Sequence, residues 1–348
     1  KLLSPGKAFI AKLSEKDPGE LIKKGKVGEI KKAFWRAESF NRSDVLHLNQ
    51  LWADFESEDN NVKIPFPDSW YTLNELMGGG MELGEISIFG APTSIGKTSL
   101  LNNIIYNLIE NTDLKVGAMM LESTKRELVR DLLGLDMSQN LRKIDRSQFD
   151  MEGAKKRFFN NLAQKNQFVF VDHQGSISTD GIFDKFNHLA KAEECQVIVL
   201  DTIQTAVNSS DNSAIIQFMD TLLKFAKETN TCIIAVSHTK KPNSDNPHDV
   251  SEYDLLGSSS LNQIAFNTII ASRDKMSDNP KIRNTTKLQL VKCRRTGETG
   301  HAGFLRFDNE TTHMYSTSDP YEEEEIDDYE ALNNFGDRDS EELKPENF

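Results

Sequence analysis

Residues 85–105 read Glu-Ile-Ser-Ile-Phe-Gly-Ala-Pro-Thr-Ser-Ile-Gly-Lys-Thr-Ser-Leu-Leu-Asn-Asn-Ile-Ile. This segment is the clearest indication of the fold in the whole sequence. An apolar run of strand length leads into a loop from Ala91 to Thr98, and a helical run follows. The loop matches the phosphate-binding motif that joins a strand to a helix, except that Ala91 stands where the motif has its first Gly. The backbone N–H groups of residues 93–98 can still converge on phosphates at the helix N-terminus. A chance Gly-Lys-Thr in a strand-to-helix turn is the alternative interpretation.

The residues of this loop have distinct predicted tasks. We expect Lys97 to hold the β- and γ-phosphates of a nucleotide and Thr98 to be a ligand of Mg²⁺. The predicted nucleotide-binding residues of the loop are Ala91, Pro92, Thr93, Ser94, Ile95, Gly96, Lys97 and Thr98.

Short apolar runs separated by helical stretches continue on the C-terminal side of this loop. Such alternation predicts βαβ units and a parallel sheet that is buried on both faces, hence an α/β fold. Three later runs lack intervening helices and are predicted to be antiparallel strands at one edge. The predicted parallel strands are residues 85–90, 115–121, 168–172, 196–201, 232–237 and 268–272, and the predicted edge strands are 286–292, 302–307 and 313–315.

Three polar residues follow predicted parallel strands and are therefore expected at the same sheet edge as Lys97. Asp201 ends the run Val-Ile-Val-Leu, where a carboxylate for Mg²⁺ is needed, although capping a turn is its other common role. Glu122 can orient the water that attacks the γ-phosphate, or it can cap the helix that follows. His238 can bind the γ-phosphate, but a lone His is more often structural.

Composition excludes several classes of protein. The chain has 348 residues, 37% of them hydrophobic and 8% aromatic, and it lacks the run of roughly 18 apolar residues that a membrane span needs. Its three cysteines, Cys195, Cys232 and Cys293, offer neither a disulfide framework nor zinc spacing, which favours a reducing, intracellular compartment. We therefore expect no membrane partner.

The net charge of −13 is unevenly distributed. Residues 319–348 hold 13 acids and 2 bases, whereas residues 1–50 hold 11 bases and 6 acids. A polar, Pro-punctuated stretch at 56–68 indicates a linker, with a surface loop within one domain as the alternative. These features predict a basic helical linker region at 1–60, with helices and Gly-containing breaks over 18–56, an NTPase domain at 61–318, and a disordered acidic tail at 319–348.

Six motifs in fixed order carry a resemblance to a known family. They are Gly-Ala-Pro-Thr-Ser-Ile-Gly-Lys-Thr at 90–98, Met-Leu-Glu-Ser at 120–123, Ile-Val-Leu-Asp at 198–201, Val-Ser-His-Thr-Lys-Lys-Pro at 236–242, Leu-Gly-Ser-Ser-Ser-Leu-Asn-Gln at 256–263 and Val-Lys-Cys-Arg-Arg-Thr-Gly-Glu-Thr-Gly at 291–300. This series resembles that of the superfamily 4, DnaB-like replicative helicases. It is most similar to the helicase half of bacteriophage primase-helicases and of mitochondrial Twinkle. The resemblance implies a RecA-like P-loop NTPase fold with a mainly parallel central sheet and antiparallel edge strands. It also implies that the small helical linker region before this domain, at 1–60, docks on the adjacent subunit.

The resemblance also implies roles for individual residues. Lys97, Glu122 and His238 correspond to the phosphate-binding lysine, the catalytic base and the γ-phosphate sensor, and Thr98 and Asp201 to the Mg²⁺ ligands. Gln263 corresponds to a glutamine that reports nucleotide state to the DNA loop. Arg294 and Lys292 correspond to an arginine finger and its companion, which act in a neighbouring subunit. Phe307 corresponds to an aromatic that stacks on the base, with a core Phe as the alternative.

A DNA-binding loop is implied between His238 and Gln263. Its backbone amides and hydroxyls are expected to bind phosphates without reading sequence. Leu256 and Asn262 stand where phage relatives carry arginine, so we expect a shallow salt dependence of DNA binding. The DNA-binding residues implied by the resemblance are Lys240, Lys241, Gly257, Ser258, Ser259 and Ser260.

The function implied is a ring-forming replicative helicase that moves 5′ to 3′ on single-stranded DNA at a replication fork, using Mg²⁺ with ATP or dTTP. The expected partners are its own copies in a hexameric or heptameric ring, and a replicative polymerase and single-strand binding protein that the acidic tail contacts. A solubilising tail is the alternative. The expected location is the cytoplasm of an infected bacterium. The rival classes are a RecA- or RadA-like recombinase and a non-enzymatic helicase loader.

Overall fold

The computed structural model describes residues 9–35, 37–39, 48, 52, 62–145, 147, 149–173, 178–207, 212–239, 250–255 and 258–322. The chain divides into two compact units, Lys1–Asn61 and Val62–Phe348. Among the described residues, no helix combines the length and the hydropathy that crossing a bilayer requires.

The described residues of the smaller unit include two short helices and a two-stranded ribbon. Helix α1 begins as its sequence predicts, because the Asp17 carboxylate accepts a hydrogen bond from the Glu20 N–H and Pro18 occupies the first turn. The prediction of helices over 18–56 is wrong at residues 38–39, which pair with residues 9–10; strand pairing of this kind is non-local and leaves little local signal. The elements are β1 (Phe9–Ile10), α1 (Pro18–Lys23), α2 (Val27–Trp35) and β2 (Glu38–Ser39).

The larger unit follows the predicted alternation of strands and helices. Its strands are β3 (Lys63–Ile64), β4 (Met81–Glu82), β5 (Ile86–Ala91), β6 (Val116–Met120), β7 (Phe168–Phe170), β8 (Val197–Asp201), β9 (Cys232–His238), β10 (Asn267–Ser272), β11 (Thr285–Cys293), β12 (Gly300–Phe307) and β13 (Met314–Thr317). Its described α-helices are α3 (Tyr71–Leu76), α4 (Lys97–Asn111), α5 (Lys125–Met137), α6 (Met151–Arg157), α7 (Thr179–Asn187), α8 (Ile203–Val207), α9 (Asn212–Thr229), α10 (Ser258–Ile264) and α11 (Pro280–Arg283). Two short π-helical segments, Phe158–Ala163 and His188–Ala192, continue α6 and α7, and a 3-10 helix covers Glu252–Asp254.

Nine of the described strands form one sheet in the order β13-β12-β11-β10-β5-β9-β8-β6-β7. The six strands from β10 to β7 are parallel, and β11, β12 and β13 add to β10 in antiparallel fashion. The prediction of a parallel sheet with antiparallel edge strands is therefore confirmed.

The two faces of this sheet have separate apolar cores because side chains alternate along each strand. In β5, Ile86 and Ile88 pack on one face with α7 and α9, whereas Phe89 and Ala91 pack on the other with α4. Every residue of β5, β6, β8 and β10 is buried. Helices therefore pack on both faces of the sheet. The carboxyl ends of the six parallel strands lie at one common edge because these strands run in the same direction.

Strand register brings the predicted site residues to that edge. Ala91 at the end of β5 is level with His238 on β9, and Met120 at the end of β6 is level with Asp201 on β8. In open α/β sheets, ligands bind beyond the carboxyl ends of the strands.

Candidate nucleotide-binding site

The phosphate-binding loop leaves β5 and enters α4 through Gly96, which adopts φ +100° at the helix N-cap. A side chain is strained in this left-handed region, so glycine suits the position. Lys97 opens the helix, and its Nζ donates to the Pro92 carbonyl at 3.2 Å and contacts His238 Nδ1 at 2.9 Å. Burial lowers the pKa of Lys97, while Asp201 and Glu122 oppose that shift. The N-terminal end of α4 therefore presents backbone N–H groups and one ammonium group to the same space.

The Asp201 carboxylate lies beside the Thr98 hydroxyl. Thr98 Oγ1 donates to Asp201 Oδ2 at 3.3 Å, and Asp201 Oδ1 is buried with no hydrogen-bond partner. Burial, with a contribution from the Glu122 charge, raises the pKa of Asp201 to about 6. An unpartnered buried carboxylate oxygen next to a hydroxyl is a donor set that suits a hard cation such as Mg²⁺.

His238 bridges Lys97 and Glu122. Because an ammonium group can only donate, His238 Nδ1 accepts from Lys97, which leaves the imidazole neutral with its proton on Nε2. That nitrogen lies 3.5 Å from Glu122 Oε1. Burial, followed by the Lys97 charge, lowers the pKa of His238, in agreement with a neutral ring.

Glu122 faces the site and does not cap the following helix. Thr124 is the N-cap of α5 and forms a capping box with Glu127, so the alternative role for Glu122 is filled by other residues. Glu122 Oε1 instead accepts hydrogen bonds from Thr205 Oγ1 at 2.9 Å and Thr202 Oγ1 at 3.3 Å.

A cavity of about 670 Å³ opens at this edge of the sheet. Residues 93–98 of the loop line it, together with Glu122 and His238. Phe307, at the end of β12, lines the cavity and also packs against the core. Its stacking on a nucleotide base stays a prediction.

Three other predicted site residues lie at the opposite end of the parallel strands, where these strands begin. They are Lys292, Arg294 and Gln263. Cys293 of β11 pairs with Asn267 of β10, and Asn267 is level with Ser87 near the start of β5. Lys292 and Arg294, on either side of Cys293, are therefore remote from the loop that follows β5. Both donate to the backbone carbonyl of Gln263 at the end of α10, and neither they nor Gln263 line the cavity.

The family comparison gives this geometry its context. Residues 67–316 match the DnaB-like helicase C terminal domain. The chain belongs to that family. The match confirms the resemblance that the six motifs carry.

Three similar proteins extend the comparison of this DnaB-like domain. The DNA helicase/primase of Enterobacteria phage T3 is 27% identical over 323 residues, which are 89% of this chain and 56% of the phage protein. A solved ATPase domain has a TM-score of 0.62 at 23% identity, covering 78% of this chain and 97% of that domain. The structure of a DnaB-like replicative helicase, described with its interactions with primase, has a TM-score of 0.61 at 22% identity, covering 86% of this chain and 74% of that one. The predicted RecA-like P-loop fold is thereby confirmed.

Sequence reasoning missed Arg273 of the DnaB-like domain. It follows β10, the neighbour of β5, and its Nη2 donates to the Ser94 carbonyl at 3.3 Å. The guanidinium lines the cavity, its Nε is buried without a partner, and burial lowers its pKa. A basic residue directly after a predicted parallel strand was the available signal.

A second missed feature is an ion pair on the outer wall of the cavity. Arg142 Nη2 lies 2.5 Å from Asp131 Oδ2, and Arg142 Nε donates to Oδ1 at 3.0 Å. This pair joins α5 to the segment that follows it. No local sequence pattern predicts a contact between these two residues.

Part of the predicted DNA-binding set lies outside the described residues. This holds for Lys240, Lys241 and Gly257, for Leu256, and for the acidic tail from residue 323 onward. The backbone of Ser258–Ser260 forms the first turn of α10. Their roles stay predictions.

Proposed function

We propose that this chain is the motor domain of a ring-forming replicative DNA helicase that couples NTP hydrolysis to 5′-to-3′ movement on single-stranded DNA. One observation carries the proposal. Lys97, Thr98, Asp201, Glu122 and His238 meet at one sheet edge, whereas the cations Lys292 and Arg294 lie at the other. Each chain thus holds a nucleotide site and, facing away from it, the charge that a neighbour's site needs.

The residues at the carboxyl edge suit hydrolysis of a phosphoanhydride. The loop N–H groups and Lys97 hold the phosphates. Glu122, held by Thr202 and Thr205, orients and deprotonates the attacking water. His238, which carries its proton on Nε2, then donates that N–H to the γ-phosphate, so its position reports whether that phosphate is present.

Thr98 and Asp201 are the proposed Mg²⁺ ligands. When bound, the ion neutralises charge on the phosphate oxygens. The described residues contain no group of three or more His, Cys, Asp and Glu side chains that could hold a metal. Coordination by Thr98 and Asp201 would need further oxygen ligands from the nucleotide phosphates and from water. The nucleotide is ATP or dTTP, and Phe307 stacks on its base.

Arg294 is the proposed finger and Lys292 its companion, both acting in trans. Arg294 is exposed, as a group that reaches another subunit has to be. Catalysis in trans requires contact between neighbouring copies, and the assembly that we propose is a closed ring of six or seven. Gln263, whose carbonyl both cations contact, connects them to α10 and to the DNA-binding loop before it.

The resemblance to DnaB-like helicases also supports further partners. Residues 240–260 bind single-stranded DNA at the replication fork, and the acidic tail contacts a replicative polymerase and single-strand binding protein. The likeness to the phage T3 helicase/primase supports the cytoplasm of an infected bacterium as the location. Because this chain covers 56% of that protein, these partners belong to the proposal.

The decisive experiment measures NTP hydrolysis with and without single-stranded DNA. We expect DNA to stimulate turnover, and Lys97→Ala and Arg294→Ala each to abolish it. Mixing the two variants should restore part of the activity, because one hybrid interface combines an intact site with an intact finger.

Other outcomes point to the rival classes. Normal hydrolysis by Arg294→Ala refutes the finger and favours a recombinase-like filament or a loader. Open filaments instead of rings on DNA in electron micrographs would indicate the recombinase class.

A further inference from the structure

Three consecutive residues after β11 contact two different parts of the larger unit. Arg294 donates to the Gln263 carbonyl, and its guanidinium lies 5.0 Å from the centre of the Phe266 ring. Arg295 and Thr296 point instead to the segment that follows α3. Arg295 and Thr296 therefore bind the turn between β11 and β12 to the segment after α3. The Arg294 side chain is directed instead toward Gln263 and Phe266.

Arg295 binds several backbone carbonyls at once. Its Nη2 donates to the Met77 carbonyl and, at 2.6 Å, to the Gly80 carbonyl, and its Nη1 donates to the Gly78 carbonyl at 3.4 Å. Its Nε lies 3.2 Å from Glu82 Oε1. Only arginine presents several donors in one rigid plane, so a single side chain fixes the whole segment 77–82 to the turn.

The segment that Arg295 binds is itself firmly placed. The last carbonyls of a helix lack partners within the helix, and here Thr296 Oγ1 binds the Leu76 carbonyl at 2.9 Å while Arg295 binds those that follow. Gly80 adopts φ +121°, and a Cβ on it would lie 2.3 Å from the Ile64 carbonyl oxygen. The backbone at Gly80 is thus packed directly against residue 64.

We propose that Arg295 is a positioning residue for the adjacent Arg294. By binding the carbonyls of Met77, Gly78 and Gly80, Arg295 holds the β11–β12 turn in the position from which Arg294 reaches the nucleotide of the neighbouring subunit. This inference rests on the proposed trans finger and extends it by a residue that touches neither nucleotide nor DNA.

The consequence is a defect that appears in the neighbour's site. Without Arg295 the turn loses its contacts to Met77, Gly78 and Gly80, and Arg294 keeps only its contacts with Gln263 and Phe266. A displacement of about 1 Å in a catalytic group costs up to about 100-fold in rate. Nucleotide binding by the subunit that carries the change is unaffected, because its own loop and cavity are intact.

The test compares Arg295→Met with Arg283→Met in the 348-residue chain. Arg283 is a matched control, because its Nη1 also binds two backbone carbonyls, those of Ser277 and Asp278, away from the turn. For Arg295→Met we expect kcat of DNA-stimulated hydrolysis to fall about 10- to 100-fold with little change in KM. For Arg283→Met we expect wild-type kcat.

Mixed rings separate positioning from a general structural defect. Lys97→Ala subunits have a dead site but an intact finger, so mixing them with Arg295→Met subunits should restore turnover. Arg295→Lys serves as the second variant: it keeps the charge beside Glu82 but lacks the planar fork, and we expect the same loss of kcat.

Wild-type kcat in both Arg295 variants overturns the inference, and so does a loss of turnover that mixing does not restore. Arg294→Ala, measured in parallel, distinguishes a failure of the positioning role from a failure of the proposed trans finger. If Arg294→Ala is inactive and the Arg295 variants are normal, the proposed function stands and the positioning role is wrong. If Arg294→Ala hydrolyses normally, the trans finger itself is wrong.

Discussion

Glu122 is exposed, yet three groups constrain its carboxylate. Thr205 and Thr202 donate to Oε1, and His238 Nε2 lies 3.5 Å away. A general base in this arrangement contributes about 100- to 10,000-fold to the rate. We therefore expect Glu122→Gln to lower kcat by at least about 100-fold while fluorescent-nucleotide binding persists.

Glu127→Gln is the matched control for that variant. Glu127 also lines the cavity, but its side chain completes the capping box with Thr124, and glutamine can do the same. Its turnover should equal that of the wild type. Equal losses in both variants would contradict the assignment of the base to Glu122.

Glu85 gives a prediction about stability and pH. The side chain is 6% exposed, its Oε2 accepts from Asn267 Nδ2 at 3.0 Å, and burial raises its pKa above 4.5. The fold therefore favours the protonated form. That contribution to stability is complete below pH 4.5, the unfolded value, and is lost as pH rises through the higher folded pKa.

Glu85→Gln keeps an oxygen that accepts from Asn267 and has no charge to bury. Its free energy of unfolding relative to wild type should increase as pH rises across that window, measured by urea denaturation at several pH values. The exposed Glu298→Gln is the matched control. A difference between Glu85→Gln and wild type that does not change with pH would contradict the prediction.

At the scale of elements, Gly90 shows how closely the segment at 250–255 packs on β5. A Cβ at Gly90 would lie 2.3 Å from Leu255 Cδ2 and 2.7 Å from Ile270 Cδ1. Overpacking of this kind costs about 1 to 3 kcal/mol. We expect Gly90→Ala to destabilise the protein by that amount in chemical denaturation.

A double variant tests the cause of that loss. Leu255→Ala removes the nearer obstacle, so the two changes together should cost less than the sum of their separate effects. Strict additivity would show that the destabilisation has another origin.

The same elements show what the sequence could and could not predict. The strand, loop and helix at 85–105 follow from local apolar runs and the Gly-Lys-Thr signal, and Asp201 and His238 from their places at strand ends. The bond from Arg295 to the Gly80 carbonyl joins residues 215 positions apart, so no local pattern reports it. Likewise, only the antiparallel pairing of β10 with β11 places Arg294 at the opposite edge from Lys97.

At the scale of the whole molecule, the net charge has to be reconciled with the proposed DNA binding. The formal charge is −13, yet residues 319–348 carry 13 acids and 2 bases, so the rest of the chain is almost neutral. In the proposed ring, a nearly neutral surface can hold DNA through backbone N–H groups and hydroxyls, which release few counterions. This contrasts with a basic groove, whose affinity falls steeply with salt.

The salt dependence of DNA binding follows from that argument. Leu256 and Asn262 provide no charge to the proposed DNA-binding loop. For single strands, each added phosphate contact steepens the slope of log K against log salt by about 0.7. Leu256→Arg should therefore steepen the slope by about that amount and raise affinity at low salt, whereas Leu256→Gln should leave the slope unchanged. Fluorescence anisotropy with a labelled oligonucleotide measures both. An unchanged slope in Leu256→Arg would remove residue 256 from the DNA path and, with it, the proposed use of this loop as the channel surface.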